Sequence, residues 1–263
     1  MFVTIFRKLL KRHQCATNVK QNRYYIDMHN LDIKNFLQRF KLRCNTITAV
    51  LIYACVAVWV VEILLHTFAP NTYSLLIEYT AFAPVTALVT PWTWFTSMFV
   101  HAPNITHIFF NMLCLWSLGA ELERFFGKWK FLGLYVISAL GGDVADIIWC
   151  SLTHNWFVVS YGASGAIMGL IGALLVAQWR LGENMRGTLL WIAITLAMPL
   201  VIPNIAWQAH VGGLLVGTVL AALLGTHNRL LEKASFNTRF LTYFVSIFVI
   251  LVACAVFCLS WTL

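Results

Sequence analysis

The sequence predicts an all-α polytopic membrane protein, and three observations carry that prediction. Of its 263 residues, 60% are hydrophobic and only 11% are charged, whereas soluble domains carry about a quarter charged residues. The apolar residues gather into seven runs that approach the ~20 residues needed to cross a bilayer. The 18 Lys and Arg are confined to the segment before the first run and to alternate loops, as in a chain that crosses repeatedly.

In chain order, residues 1–46 form a basic cytoplasmic tail, too short and polar for a core of its own, holding ten of the Lys and Arg. Its Phe6-Arg7-Lys8-Leu9-Leu10-Lys11-Arg12 run reads as an orientation signal or as a patch drawn to anionic headgroups. The first span, 47–68, starts too late and runs too long for a cleaved signal peptide, so it reads as a retained signal anchor. Residues 69–103 are aromatic yet interrupted by Pro70, Pro84 and Pro91, and contain no Lys or Arg. Irregular backbone is not tolerated against hydrocarbon, so this loop is expected to form short helices at the outer interface, where Trp92 and Trp94 settle.

The next spans are expected at 104–120, 130–150, 164–181, 188–202, 208–226 and 240–262, the fifth being short with Pro199 and Pro203 at its end. Arg124, Lys128 and Lys130, then Arg180 and Arg186, then Arg229, Lys233 and Arg239 fall in alternate connections, while 151–163 and 203–207 carry none. The positive-inside rule therefore places the N-terminus in the cytoplasm and the C-terminus outside. The net charge of +8 is thus a topology signal and not a nucleic-acid one. Seven cysteines at 15, 44, 55, 114, 150, 254 and 258 show neither a disulfide framework nor zinc-ligand spacing.

Polar residues inside such spans are candidates for chemistry. Gly162-Ala163-Ser164-Gly165 opens the fourth span, and a serine among glycines there is either a nucleophile or part of a packing seam. His210 opens the sixth span, which also runs from outside to inside. Ser164 and His210 are therefore expected at one depth near the outer face. His107 and Asn111, at i and i+4 in the second span, share a helical face in the same layer. Each costs several kcal/mol in hydrocarbon if unpaired, so both should face the bundle interior. Gly165 and Gly169 in the fourth span, with Gly213 and Gly217 on the face of His210 in the sixth, are spaced for close helix contact. Packing those faces together would bring Ser164 beside His210, so the seam and the nucleophile are compatible. Asp143 and Asp146 in the third span and Glu62 in the first leave a serine triad open as an alternative. No pair of histidines stands at i, i+4, so no metal site of that type is expected.

These motifs resemble the rhomboid intramembrane serine proteases: Phe99-Val100-His101, His107-x-x-x-Asn111, Gly119-x-x-x-Glu123-x-x-x-Gly127, Gly162-x-Ser164-Gly165 and Ala209-His210-x-x-Gly213-x-x-x-Gly217, in family order across about 47–226. The resemblance implies a six-helix catalytic core at 47–226, with 227–263 as a linker and an added seventh helix. It implies Ser164 as nucleophile and His210 as general base, without a cofactor or metal. His107 and Asn111 would hold the oxyanion with the Ser164 amide, and Gly162 would leave room for substrate backbone. His101, Glu123 and the four glycines would be structural. Met168 stands where the family commonly has an aromatic residue, Thr93 where many members have Arg, and the segment between His101 and His107 is one residue longer. Asp143 and Asp146 then become interhelical partners and the site a dyad.

The function so implied is cleavage of transmembrane or juxtamembrane segments of single-pass or polytopic membrane proteins. The seven-span form occurs in bacteria and in eukaryotic secretory membranes, and the small size points to a bacterial cytoplasmic membrane. A catalytically silent, client-binding relative is the alternative, but such proteins typically lack the serine or the histidine. A transporter would spread polar residues on both sides of the midplane, whereas here they concentrate in the outer third.

Overall fold

The structure is a computed structural model that describes residues 46–200, 206–226, 228 and 231–262. The basic tail up to residue 45, most of the connection at 203–207, the end of the run at 188–202 and Arg229 lie outside the described residues. Nine α-helices appear among them: α1 (Ile47–Phe68), α2 (Pro70–Thr80), α3 (Thr93–Thr96), α4 (Ile105–Phe126), α5 (Lys128–Thr153), α6 (Ser164–Arg180), α7 (Arg186–Ala197), α8 (Trp207–Gly225) and α9 (Phe236–Thr262). Phe82 and Ser160 form an isolated antiparallel bridge. The protein is an all-helical integral membrane protein whose helices α1, α4, α5, α8 and α9 are long and apolar enough to cross a bilayer.

The fourth and fifth expected spans are shorter than full crossings, α6 having 17 residues and α7 having 12. A 17-residue helix is only ~25 Å long. It needs no more, because α6 is the centre of the bundle and meets protein on all sides: Ala166, Leu170, Ile171 and Ala173 are all but inaccessible. α7 stops at Ala197 and tightens into a 3-10 turn at Met198–Leu200. Pro199 lies in that turn, where its ring and missing N–H cannot continue an α-helix. By contrast, α4 and α5 run past the expected ends at 120 and 150, to Phe126 and Thr153.

The outward faces of α1 and α9 carry exposed Val60, Leu64, Val249, Ile250 and Phe257. In water such surfaces would mark a liability, whereas against lipid tails they are ordinary. Inside, packing is glycine-mediated. A methyl at Gly213 or Gly217 of α8 would collide with the carbonyls of Gly165 or Gly169 of α6, so the two backbones touch. Across α8's other side, methyls at Gly141 and Gly142 of α5 would strike Val216 and Ala209. Close contact of this kind is how membrane helices gain dispersion energy without a hydrophobic drive.

The Gly119-x-x-x-Glu123-x-x-x-Gly127 pattern also has a structural explanation. The Glu123 carboxylate accepts hydrogen bonds from the Ile47 and Thr48 amides and the Thr48 hydroxyl, each at 2.9 Å. It thereby satisfies donors that the first turn of α1 leaves unpaired. One turn earlier, Gly119 leaves room for the Thr48 side chain. Gly127, at φ 84°, makes the turn from α4 to α5. Glu123→Ala would strand these donors in a buried place and is expected to cost about 2–4 kcal/mol. Thermal unfolding in detergent measures this, with Glu123→Gln expected between the variant and the parent.

Candidate active site

Ser164 is the first residue of α6, and His210 sits in the first turn of α8. The glycine contacts between these helices bring their N-terminal ends together. Ser164 Oγ and His210 Nε2 lie 2.9 Å apart, within the 2.6–3.2 Å reach of a nucleophile and its base. For Nε2 to accept the hydroxyl proton, the neutral ring must carry its own hydrogen on Nδ1. His210 Nδ1 is buried and has no hydrogen-bond partner among the described residues. No carboxylate among the described residues therefore pairs with it in the manner of a triad. Asp143 and Asp146 are buried on α5, one turn apart.

The loop before Ser164 is held at several points. The Ser160 and Phe82 backbones exchange two hydrogen bonds of 2.9 Å, and the Gly162 amide donates to the Ser97 carbonyl at 2.9 Å. Gly162 has φ 124°, a conformation that side chains resist. A Cβ there would also stand 3.0 Å from His107 Nε2. Both requirements select glycine at this position. No side chain caps α6, so the amides of its first turn remain donors at the positive end of the helix dipole.

His107 faces this loop, and Asn111 follows one turn later in α4. The Ala102 amide donates to His107 Nδ1 at 3.1 Å, which leaves the proton of the neutral ring on Nε2. That Nε2–H is the atom facing Gly162. Asn111 Nδ2 donates to the His107 carbonyl at 3.1 Å and is nearly buried. One of its two amide hydrogens is thus used within α4 and the other is available. Met168 is buried one turn below Ser164.

His101 is fully buried beneath the nucleophile loop. Its Nδ1 donates to the Phe99 carbonyl at 3.1 Å, and its Nε2 accepts from the Ala163 amide at 3.4 Å. The backbone N–H of His101 donates to both oxygens of Glu62, at 3.2 and 3.1 Å. Trp59 Nε1 donates to the Ala102 carbonyl at 3.1 Å. α1 therefore anchors the segment that leads into α4. Sequence reasoning offered Glu62 only as a possible triad carboxylate and missed this structural role. Its signal was a lone carboxylate in an otherwise apolar helix, which must find donors or be expelled.

Burial, and next the neighbouring His107 ring, pushes His101 from an ordinary 6.5 down to about 3. The folded state thus binds fewer protons than the unfolded chain between those values, and stability rises with pH there. The stabilisation is present above pH 6.5 and is lost as pH falls toward about 3, at ~1.4 kcal/mol per pH unit. His101→Gln is expected to flatten the dependence of the thermal midpoint on pH across this window. An unchanged pH slope in that variant would refute the assignment.

Comparison with known proteins places these residues in context. The Rhomboid domain family matches residues 89–227. The chain is 33% identical over 156 residues to Rhomboid protease GluP of Bacillus subtilis, covering 57% of this chain and 29% of that protein. It is 33% identical over 139 residues to RHOMBOID-like protein 5 of Arabidopsis thaliana, covering 51% of this chain and 44% of that protein. It is also 29% identical over 209 residues to Rhomboid protease AarA of Providencia stuartii, covering 70% of this chain and 74% of that protein. The chain thus spans less than half the length of the first two relatives.

Proposed function

Because the chain belongs to the rhomboid family, we propose that it is an intramembrane serine endopeptidase that cuts transmembrane or juxtamembrane segments of other membrane proteins. The observation that carries this reading is the 2.9 Å hydrogen bond between Ser164 Oγ and His210 Nε2. In the reaction, Oγ attacks the scissile carbonyl as its proton passes to Nε2. The protonated imidazole then gives that proton to the leaving amine, and an acyl-enzyme remains on Oγ. Water repeats the sequence with His210 again as base, releasing the new carboxyl end.

The negative charge on the former carbonyl oxygen is met by the Ser164 amide, His107 Nε2–H and the unused Asn111 amide hydrogen. Each such donor is worth about 10²–10³-fold in rate in serine hydrolases. Gly162 keeps a side chain out of the space between His107 and the nucleophile. The charge distribution of the connections supports a cytoplasmic N-terminus and a site near the outer face. Substrate would enter from lipid beside α7, which has only Thr188 and Ile192 buried along its described length. On that side Trp191 of α7 meets Cys114 of α4.

The test uses the full chain reconstituted in liposomes with a model single-pass substrate and a fluorophosphonate probe. Cleavage in the outer part of the substrate span, with probe labelling that depends on Ser164, is the expected result. Cleavage that continues in both Ser164→Ala and His210→Ala would refute the dyad.

A further inference from the structure

α9 begins beyond the residues that match the family domain, and the reaction above makes no use of it. Its contacts nevertheless reach a residue bonded to the loop before Ser164 and the far end of the helix that carries His210. At its inner end, Arg239 Nη2 donates to the Leu224 and Thr226 carbonyls, each at 2.8 Å. These carbonyls belong to the C-terminal end of α8, where the helix has no partners of its own and where a cation is favoured. Next to Arg239, Phe240 lies against Gly133 of α5. At its outer end, Ala255 and Leu259 are buried in one cluster with Phe82, Ala87, Val144 and Ile147.

Phe82 connects this cluster to the nucleophile loop. Its ring meets Trp94 edge-on at 4.9 Å, and its backbone makes the paired 2.9 Å hydrogen bonds to Ser160. Ser160 is four residues before Ser164 on a non-helical segment that bends at Gly162. α9 is 27 residues long, or ~40 Å, and so spans the depth from one set of contacts to the other. One element therefore supports the loop that delivers Ser164 and grips the far end of the helix that delivers His210.

We propose that α9 is a clamp on the candidate active site, with Ala255 and Leu259 as positioning residues that set Ser164 through Phe82 and Ser160, and with Arg239 holding α8. The proposal rests on the reading of Ser164 as the nucleophile. Rate in such a site is steeply sensitive to placement, an error of 1 Å costing about 10²-fold. Loosening the outer contact shifts the loop by less than that and leaves substrate binding alone. It therefore acts on kcat and not on KM.

The experiment compares the full-length protein with Leu259→Ala, Leu259→Ile and Phe240→Leu in liposomes. Phe240→Leu loosens α9 at the end remote from Ser164. Measured are the second-order rate of fluorophosphonate labelling at Ser164, kcat and KM for a model substrate, and the thermal midpoint. Leu259→Ala is expected to slow labelling and kcat about tenfold with KM within about twofold, and Leu259→Ile to recover most of the loss. Phe240→Leu is expected to lower the midpoint as much while labelling stays within about twofold of the parent. If Leu259→Ala does not fold, the gentler Ala255→Gly is read by the same criteria. Labelling at the parental rate after the outer substitution overturns the clamp, as does slowing in both variants in proportion to lost stability. A parent that does not label, or labels equally without Ser164, overturns the protease reading instead.

Discussion

Ser164→Ala is expected to abolish substrate cleavage and probe labelling while leaving the fold intact. The hydroxyl is small, and its loss removes one hydrogen bond to His210, worth about 1 kcal/mol of stability. The effect on rate is of another order. Without Oγ there is no acyl-enzyme, and in other serine hydrolases loss of the nucleophile or its base costs roughly 10⁴–10⁶-fold. His210→Ala should cost about as much, because the hydroxyl then has no acceptor for its proton. The informative measurement is the double variant. Residues that act as a unit are non-additive, so Ser164→Ala with His210→Ala should be no slower than either alone. Multiplying losses would show that the two act separately and would remove the dyad.

The second large effect is expected at Gly213, which carries no reacting atom and lies one turn from His210. A side chain there meets the Gly165 carbonyl directly. Because that obstacle is backbone, it cannot rotate away as a side chain would. Gly213→Ala must push α6 and α8 apart, and overpacking of this kind costs about 1–3 kcal/mol. Separation also lengthens the 2.9 Å contact between Ser164 and His210, so a loss of about 10²-fold in labelling rate is expected. Gly213→Leu should prevent assembly of the core. Thermal midpoint and labelling rate measured together separate the two effects. Gly213→Ala with parental labelling would mean that the seam does not set the dyad distance.

Much of this was legible along the chain because bilayer crossing imposes one-dimensional rules. An apolar run of sufficient length, flanked by asymmetric charge, reports its position and direction without any knowledge of neighbours. Hence Ser164 and His210, which open two helices of like direction, could be assigned to one layer, and Gly165, Gly169, Gly213 and Gly217 to facing surfaces. The shortness of α6 was not legible, because the length rule assumes lipid on all sides and α6 has protein there. Nor did Pro199 say where α7 would end, since a proline can kink a span as readily as stop it.

What the sequence by itself determined is the class of protein, the layer of the candidate residues and the family motifs. Tertiary structure alone decided which donors each polar group receives. Glu62 and the His101 amide are 39 residues apart, Glu123 and Thr48 75, and His101 and Ala163 62. A buried polar group must be paired, but nothing local names its partner. The partner is chosen when helices pack, and packing depends on shapes contributed by all of them at once. The same reason hid the packed face of α9: an apolar run looks alike whether it faces lipid or, as at Leu259, a buried cluster with Phe82.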